Sequence, residues 1–134
     1  MTADEIKDSL REAIEELNIA EHELNRPNDD IVAMSVCLSA KIAMNAMMRM
    51  YLLSNGSTHV QGKSLMDLQK KCAALDNDFA SLDFSRVFCN SLEPHECDHK
   101  YCLDTRTVSG CLSVAGQLKT LVLKKLNLTE AALA

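Results

Sequence analysis

The sequence predicts an all-α fold, an antiparallel four-helix bundle with one short extra helix, and three observations carry that prediction. From Ile31 to Leu53 the chain is apolar around most of a helical circumference, interrupted by Lys41, Asn45 and Arg49 at four-residue spacing. A helix that is apolar nearly all round has to be enclosed by other helices. The segments before and after it carry apolar residues at three- and four-residue spacing, the pattern of helices with one buried face. Composition agrees: Gly (4) and Pro (2) are scarce, Trp is absent, and Leu, Ala and Met are plentiful, which favours helices over strands. A chain of 134 residues suits one domain with a real core, and a single domain over 1–134 is expected.

Helices are expected near 3–25, 30–54, 64–76, 79–91 and 105–127. The first opens on a capping box, Thr2 and Glu5, with acidic residues in its first turn where the helix dipole favours them. Ile6, Leu10, Ala13, Ile14, Leu17, Ala20 and Leu24 form its apolar stripe, and Glu12, Glu15, Glu16 and Glu23 its outer face. Arg26-Pro27 ends it, because the residue before a proline is driven out of the helical region. Asp29 and Asp30 cap the second helix, and Asn55-Gly56 closes it. Ser64 with Asp67 starts a third, carrying Leu65, Leu68, Cys72 and Leu75; Asp76-Asn77-Asp78 breaks it before Phe79, Leu82, Val87 and Phe88 resume the pattern. Periodicity is lost from Cys89 to Asp104. A last helix then places Val108, Cys111, Leu112, Ala115, Leu118, Val122 and Leu126 inward, with Lys119, Lys124 and Lys125 toward its C-terminal end.

Charge narrows the function classes. A formal net charge of −5 argues against general nucleic-acid binding, which needs a basic face to displace counterions. The groups Lys63/Lys70/Lys71 and Lys119/Lys124/Lys125 read as solvated helix faces. Ile31–Leu53 is long enough to span a bilayer at ~1.5 Å per residue, but Lys41 and Arg49 lie inside it and mid-membrane charge is costly. It is therefore expected to be a core helix, with no membrane partner. The start, Met1-Thr2-Ala3-Asp4-Glu5, has neither the basic nor the apolar region of a secretory signal. A reducing, cytoplasmic setting is expected, with Cys37, Cys72 and Cys111 packing as small hydrophobes rather than as disulfides.

Three constellations offer chemistry. Cys89, His95, Cys97, His99 and Cys102 place three thiols and two imidazoles within one irregular stretch, donors suited to zinc; Cys97, His99 and Cys102 are the candidate ligands. No Cys-x-x-Cys knuckle is present, and a solvated loop is the competing reading. Lys41, Asn45 and Arg49 either line a groove that binds a phosphate or carboxylate, or form the one strip of the central helix that reaches water along its stems. Met34, Met44, Met47, Met48 and Met50 are core filler that would also suit a repackable subunit interface. No Gly-rich phosphate loop, Gly-x-Ser-x-Gly elbow, His-Glu-x-x-His or inward Glu-x-x-His occurs, so no motif supports catalysis.

Over roughly residues 3–127 the helix order resembles the HEPN domain family, named for nucleotide binding in higher eukaryotes and prokaryotes. The stretch Ser39-Ala40-Lys41-Ile42-Ala43-Met44-Asn45-Ala46-Met47, closing on Tyr51-Leu52-Leu53-Ser54-Asn55-Gly56, is similar to that family's Ala/Lys-rich second helix and its glycine stop. Lys63-Ser64-Leu65-Met66-Asp67-Leu68 looks like its His-x-Leu-x-x-Leu opening of the third helix, with lysine in place of histidine. Val108 through Leu126 matches its final amphipathic helix. Ribonuclease members carry Arg-x4-6-His and cleave RNA without metal. Here eight residues separate Arg86 from His95 and nine separate Arg49 from His59, so the resemblance implies a member without the nuclease. Such members act as binding or antitoxin-associated partners of small nucleotidyltransferases, or as dimeric interaction modules. The expectation is a non-enzymatic, cytoplasmic homodimer binding a protein partner or a nucleotide beside the second helix. The alternatives are a metal-independent RNase toxin using a stretched Arg86/His95 pair and a zinc-stabilised helical module.

Overall fold

A computed structural model describes residues 2–24, 33–58, 60, 64–84 and 105–133. Among them every regular element is helical and no strand occurs. The order is α1 (Ala3–Leu24), α2 (Ala33–Ser54), α3 (Leu65–Leu75), a 3-10 turn (Asn77–Ser81), α4 (Thr105–Lys125) and α5 (Glu130–Leu133).

Helix α2 is the centre. It packs against α1, α3 and α4, and Val36, Cys37, Ala40, Ala43, Met44, Met47, Met48, Met50, Tyr51 and Leu52 are all buried. Those residues point in nearly every direction around the helix, so one neighbour could not cover them. By length and composition Val36–Ser54 could cross a membrane, at mean hydropathy 1.2, yet 67% of it is buried inside the fold. Its neighbours supply that burial, as their stripes foretold: Ile6, Leu10, Ala13, Ile14, Leu17 and Ala20 from α1, and Leu65, Leu68 and Cys72 from α3. Helix α4 contributes Cys111, Leu112, Val114, Ala115, Leu118, Val122 and Leu123.

The helix ends have identifiable causes. Glu5 N–H donates to Thr2 Oγ1 at 3.1 Å, and Asp67 N–H to Ser64 Oγ at 3.2 Å, so both predicted side-chain caps accept from the third residue of their helix. At the end of α2, Gly56 sits at φ +86°, with Gly56 N–H donating to Leu53 O and Ser57 N–H to Leu52 O. That pair of bonds is a Schellman closure, which needs a left-handed residue, the conformation glycine adopts without strain. Helix α4 ends the same way without glycine: Asn127 takes φ +57°, while its N–H bonds Lys124 O and Leu128 N–H bonds Leu123 O.

Where a helix was expected over 79–91, the described part, 79–84, contains no α-helix. Asp76 instead caps a 3-10 turn, its Oδ1 accepting from Asp78 N–H at 3.0 Å. Gln69 Nε2 donates to both Phe79 O at 3.1 Å and Leu82 O at 3.0 Å, tying the turn to α3. Phe79 is fully buried, with its ring 4.6 Å from that of Tyr51. Buried Phe79, Leu82 and Phe84, with side-chain hydrogen bonds, thus replace a helical repeat. Leu75, expected to face inward, is exposed.

Candidate functional site

Helices α1 and α2 leave a groove of about 360 Å³ between them, lined by Ser9, Glu12, Ala13, Glu16, Ile42, Ala46, Arg49, Met50 and Leu53. On α2 the residues Ile42, Ala46, Arg49 and Leu53 follow the spacing of one helix face. Ile42 is 49% exposed, the one large apolar side chain to stand so far open among the described side chains of this helix. Arg49 is half-buried, and burial lowers its pKa from the ordinary arginine value. Its Nε donates to Asn45 Oδ1 at 2.6 Å, which fixes the guanidinium plane along α2. The opposite wall brings two carboxylates, Glu12 and Glu16, and the Ser9 hydroxyl.

Lys41, Asn45 and Arg49 do not share one environment. Lys41 is 4% exposed and Asn45 9%, and both have partners within the fold; only Arg49 reaches the groove. The expected water-facing strip is therefore corrected. A line of residues four apart advances about 40° around a helix at each step, so this one starts in the core at Lys41 and emerges at Arg49. The strip that does reach water is set one position on, at Ile42.

Arg86, His95, Cys97, His99 and Cys102 lie outside the described residues, as does Cys89. Among the described residues no three His, Cys, Asp or Glu side chains are grouped to hold a metal ion. Cys37, Cys72 and Cys111 are buried and take part in no disulfide. Burial pushes the Cys72 thiol up to about 12, and its sulfur lies 3.9 Å from Met48 O; such a thiol is inert at neutral pH. The polar groups of the groove lining are the Ser9 hydroxyl, the Glu12 and Glu16 carboxylates and the Arg49 guanidinium, set among apolar side chains.

Two further features are structural. Lys125 Nζ bridges Asp76 at 2.8 Å and Asp78 at 2.7 Å, tying the end of α4 to the 3-10 turn. Helix α5 is seated by Leu133, whose carbonyl accepts from Arg11 Nη1 at 3.2 Å, and by Lys119 with Glu130 at 2.5 Å.

Comparison with protein-family models, with curated proteins and with solved structures finds no significant match for this chain.

Proposed function

We propose that this chain is a non-enzymatic interaction domain, an antiparallel HEPN-like helical bundle that takes a protein partner in the groove between α1 and α2. The observation that carries the reading is Ile42, a large apolar side chain left open on the helix that is otherwise the core. Ile42 lines the groove beside the partly buried Ala46 and Leu53, which gives an incoming apolar side chain a surface to pack against. An antiparallel pairing of α1 and α2 fits the eight residues between them, 25–32. So short a connection reaches at most ~29 Å when fully extended, less than the ~33 Å needed to travel back along the helix.

Between the two ligand classes, the groove favours a protein. Arg49 offers a single guanidinium, whereas Glu12 and Glu16 would repel a nucleotide's phosphates. Self-association through a face other than the groove, a cytoplasmic location and a role beside a nucleotidyltransferase or a toxin–antitoxin pair belong to the same proposal.

The test is recovery of tagged protein from its native cells, wild type against Ile42→Asp, with circular dichroism confirming that both fold. The expected result is a stoichiometric partner held by the wild type and lost by the variant. Equal recovery from both would contradict the groove. Metal-independent RNA cleavage abolished by Arg86→Ala and by His95→Ala would overturn the non-enzymatic reading.

A further inference from the structure

The charge of this protein is not spread over its surface. Helix α1 alone carries eight carboxylates against Lys7 and Arg11, an excess of six acids where the whole chain has a net charge of −5. The rest of the molecule is therefore close to neutral, and the acidity of the protein is the acidity of α1. Glu12 and Glu16 bring that charge to one wall of the groove. Ile19, 64% exposed, follows Glu12 and Glu16 along the same line of α1 at helical spacing. Two of the exposed large apolar side chains, Ile19 and Ile42, thus stand on the two helices that form the groove, with acids alongside.

We infer that the groove receives an amphipathic helix of basic character from another protein, apolar toward Ile42 and Ile19, with Lys or Arg toward Glu12 and Glu16. The inference rests on the proposed groove function and names the partner's chemistry. A helix laid in a groove presents apolar anchors at i, i+3 or i+4, and i+7, which here would meet Ile42, Ala46 and Leu53. Charge complementarity then sets orientation and rate of encounter. Arg49, across the groove, accepts one carboxylate of the incoming helix and rejects a uniformly cationic one. A second copy of this chain fits poorly, because two-fold pairing of this face would set one acidic α1 against another. Anionic lipid and nucleic acid are repelled by the same wall.

The probe is a displayed library of 20-residue helices with a fixed apolar stripe, its flanking positions drawn from Lys, Arg, Glu, Gln and Ser. Selection on the wild-type protein is expected to enrich Lys and Arg beside the stripe. A selected peptide should bind at least tenfold more weakly to Ile42→Asp and to Glu12→Lys/Glu16→Lys, and more weakly as salt is raised. Enriched helices with acidic or neutral flanks that still need Ile42 would overturn this inference and leave the groove reading standing. No enrichment dependent on Ile42 would overturn both. A native mass falling from dimer to monomer in Ile42→Asp would assign the face to a second copy and likewise overturn the inference.

Discussion

Two truncations on the same helix should differ several-fold in cost. Met48 is fully buried, whereas Ile42 is 49% exposed. Met48→Ala removes three heavy atoms beyond Cβ, worth ~2.4 kcal/mol at about 0.8 kcal/mol per buried methylene-sized group. The cavity left behind adds to this, and alanine's better helix propensity returns a few tenths, for a net loss of about 3 kcal/mol. The contact between Cys72 and Met48 uses the backbone carbonyl and survives the change. Ile42→Ala gives up about half as much burial and regains ~0.4 kcal/mol of helix propensity, so it should cost less than about 1 kcal/mol. Urea titration followed by far-UV circular dichroism measures both, and at ~4 °C per kcal/mol the melting temperatures should fall by about 12 °C and under 4 °C. Equal losses would refute the reasoning, because they would mean that Ile42 helps hold the fold and is not a surface kept for a partner.

Gly56→Ala should destabilise by about 1 kcal/mol through its left-handed backbone alone, since nothing lies within 4 Å of an added Cβ. Asn127→Gly should act in the opposite sense, raising stability by several tenths of a kcal/mol, read from the same denaturant curves. The bond from Lys125 holds the Asp76 carboxyl below its usual range. Its stabilising effect is therefore present above the unfolded carboxylate pKa of ~3.9 and is lost as the pH falls through the lower folded value. Asp76→Asn should flatten the decline in melting temperature between about pH 5 and pH 2. Lys125 is raised by its contacts with Asp76 and Asp78, so on the alkaline side the contribution stays complete through neutral pH and is lost only above the ordinary lysine range.

Periodicity made much of the fold legible, and its failures have physical causes. Six residues of the α1 stripe and most of the α4 stripe are buried as read, because each of these helices has one covered face. The glycine stop of α2 was visible as Asn55-Gly56, whereas the matching stop of α4 depends on Asn127, a residue that tolerates the left-handed region without announcing it. The 3-10 turn at Asn77–Ser81 was hidden because Phe79 and Leu82 keep a three-residue spacing, which suits an α-helix equally well. At the groove, polarity misled. Lys41 and Asn45 stood out against an apolar background, yet they lie in the interior. Ile42 was invisible among apolar neighbours, and only its exposure distinguishes it. The weak signal was its place in the line Ile42, Ala46, Arg49, Leu53, which contains the one arginine of α2.

The central claim is that the described side chains of α2 are sealed by its neighbours except along the strip at Ile42. Thiol labelling of native protein, read site by site by mass spectrometry, tests it directly. Cys37, Cys72 and Cys111 should stay unmodified until the protein is unfolded, while the substituted thiol of Ile42→Cys labels within the first minutes. Labelling of Cys37 as fast as that of Ile42→Cys would contradict the claim.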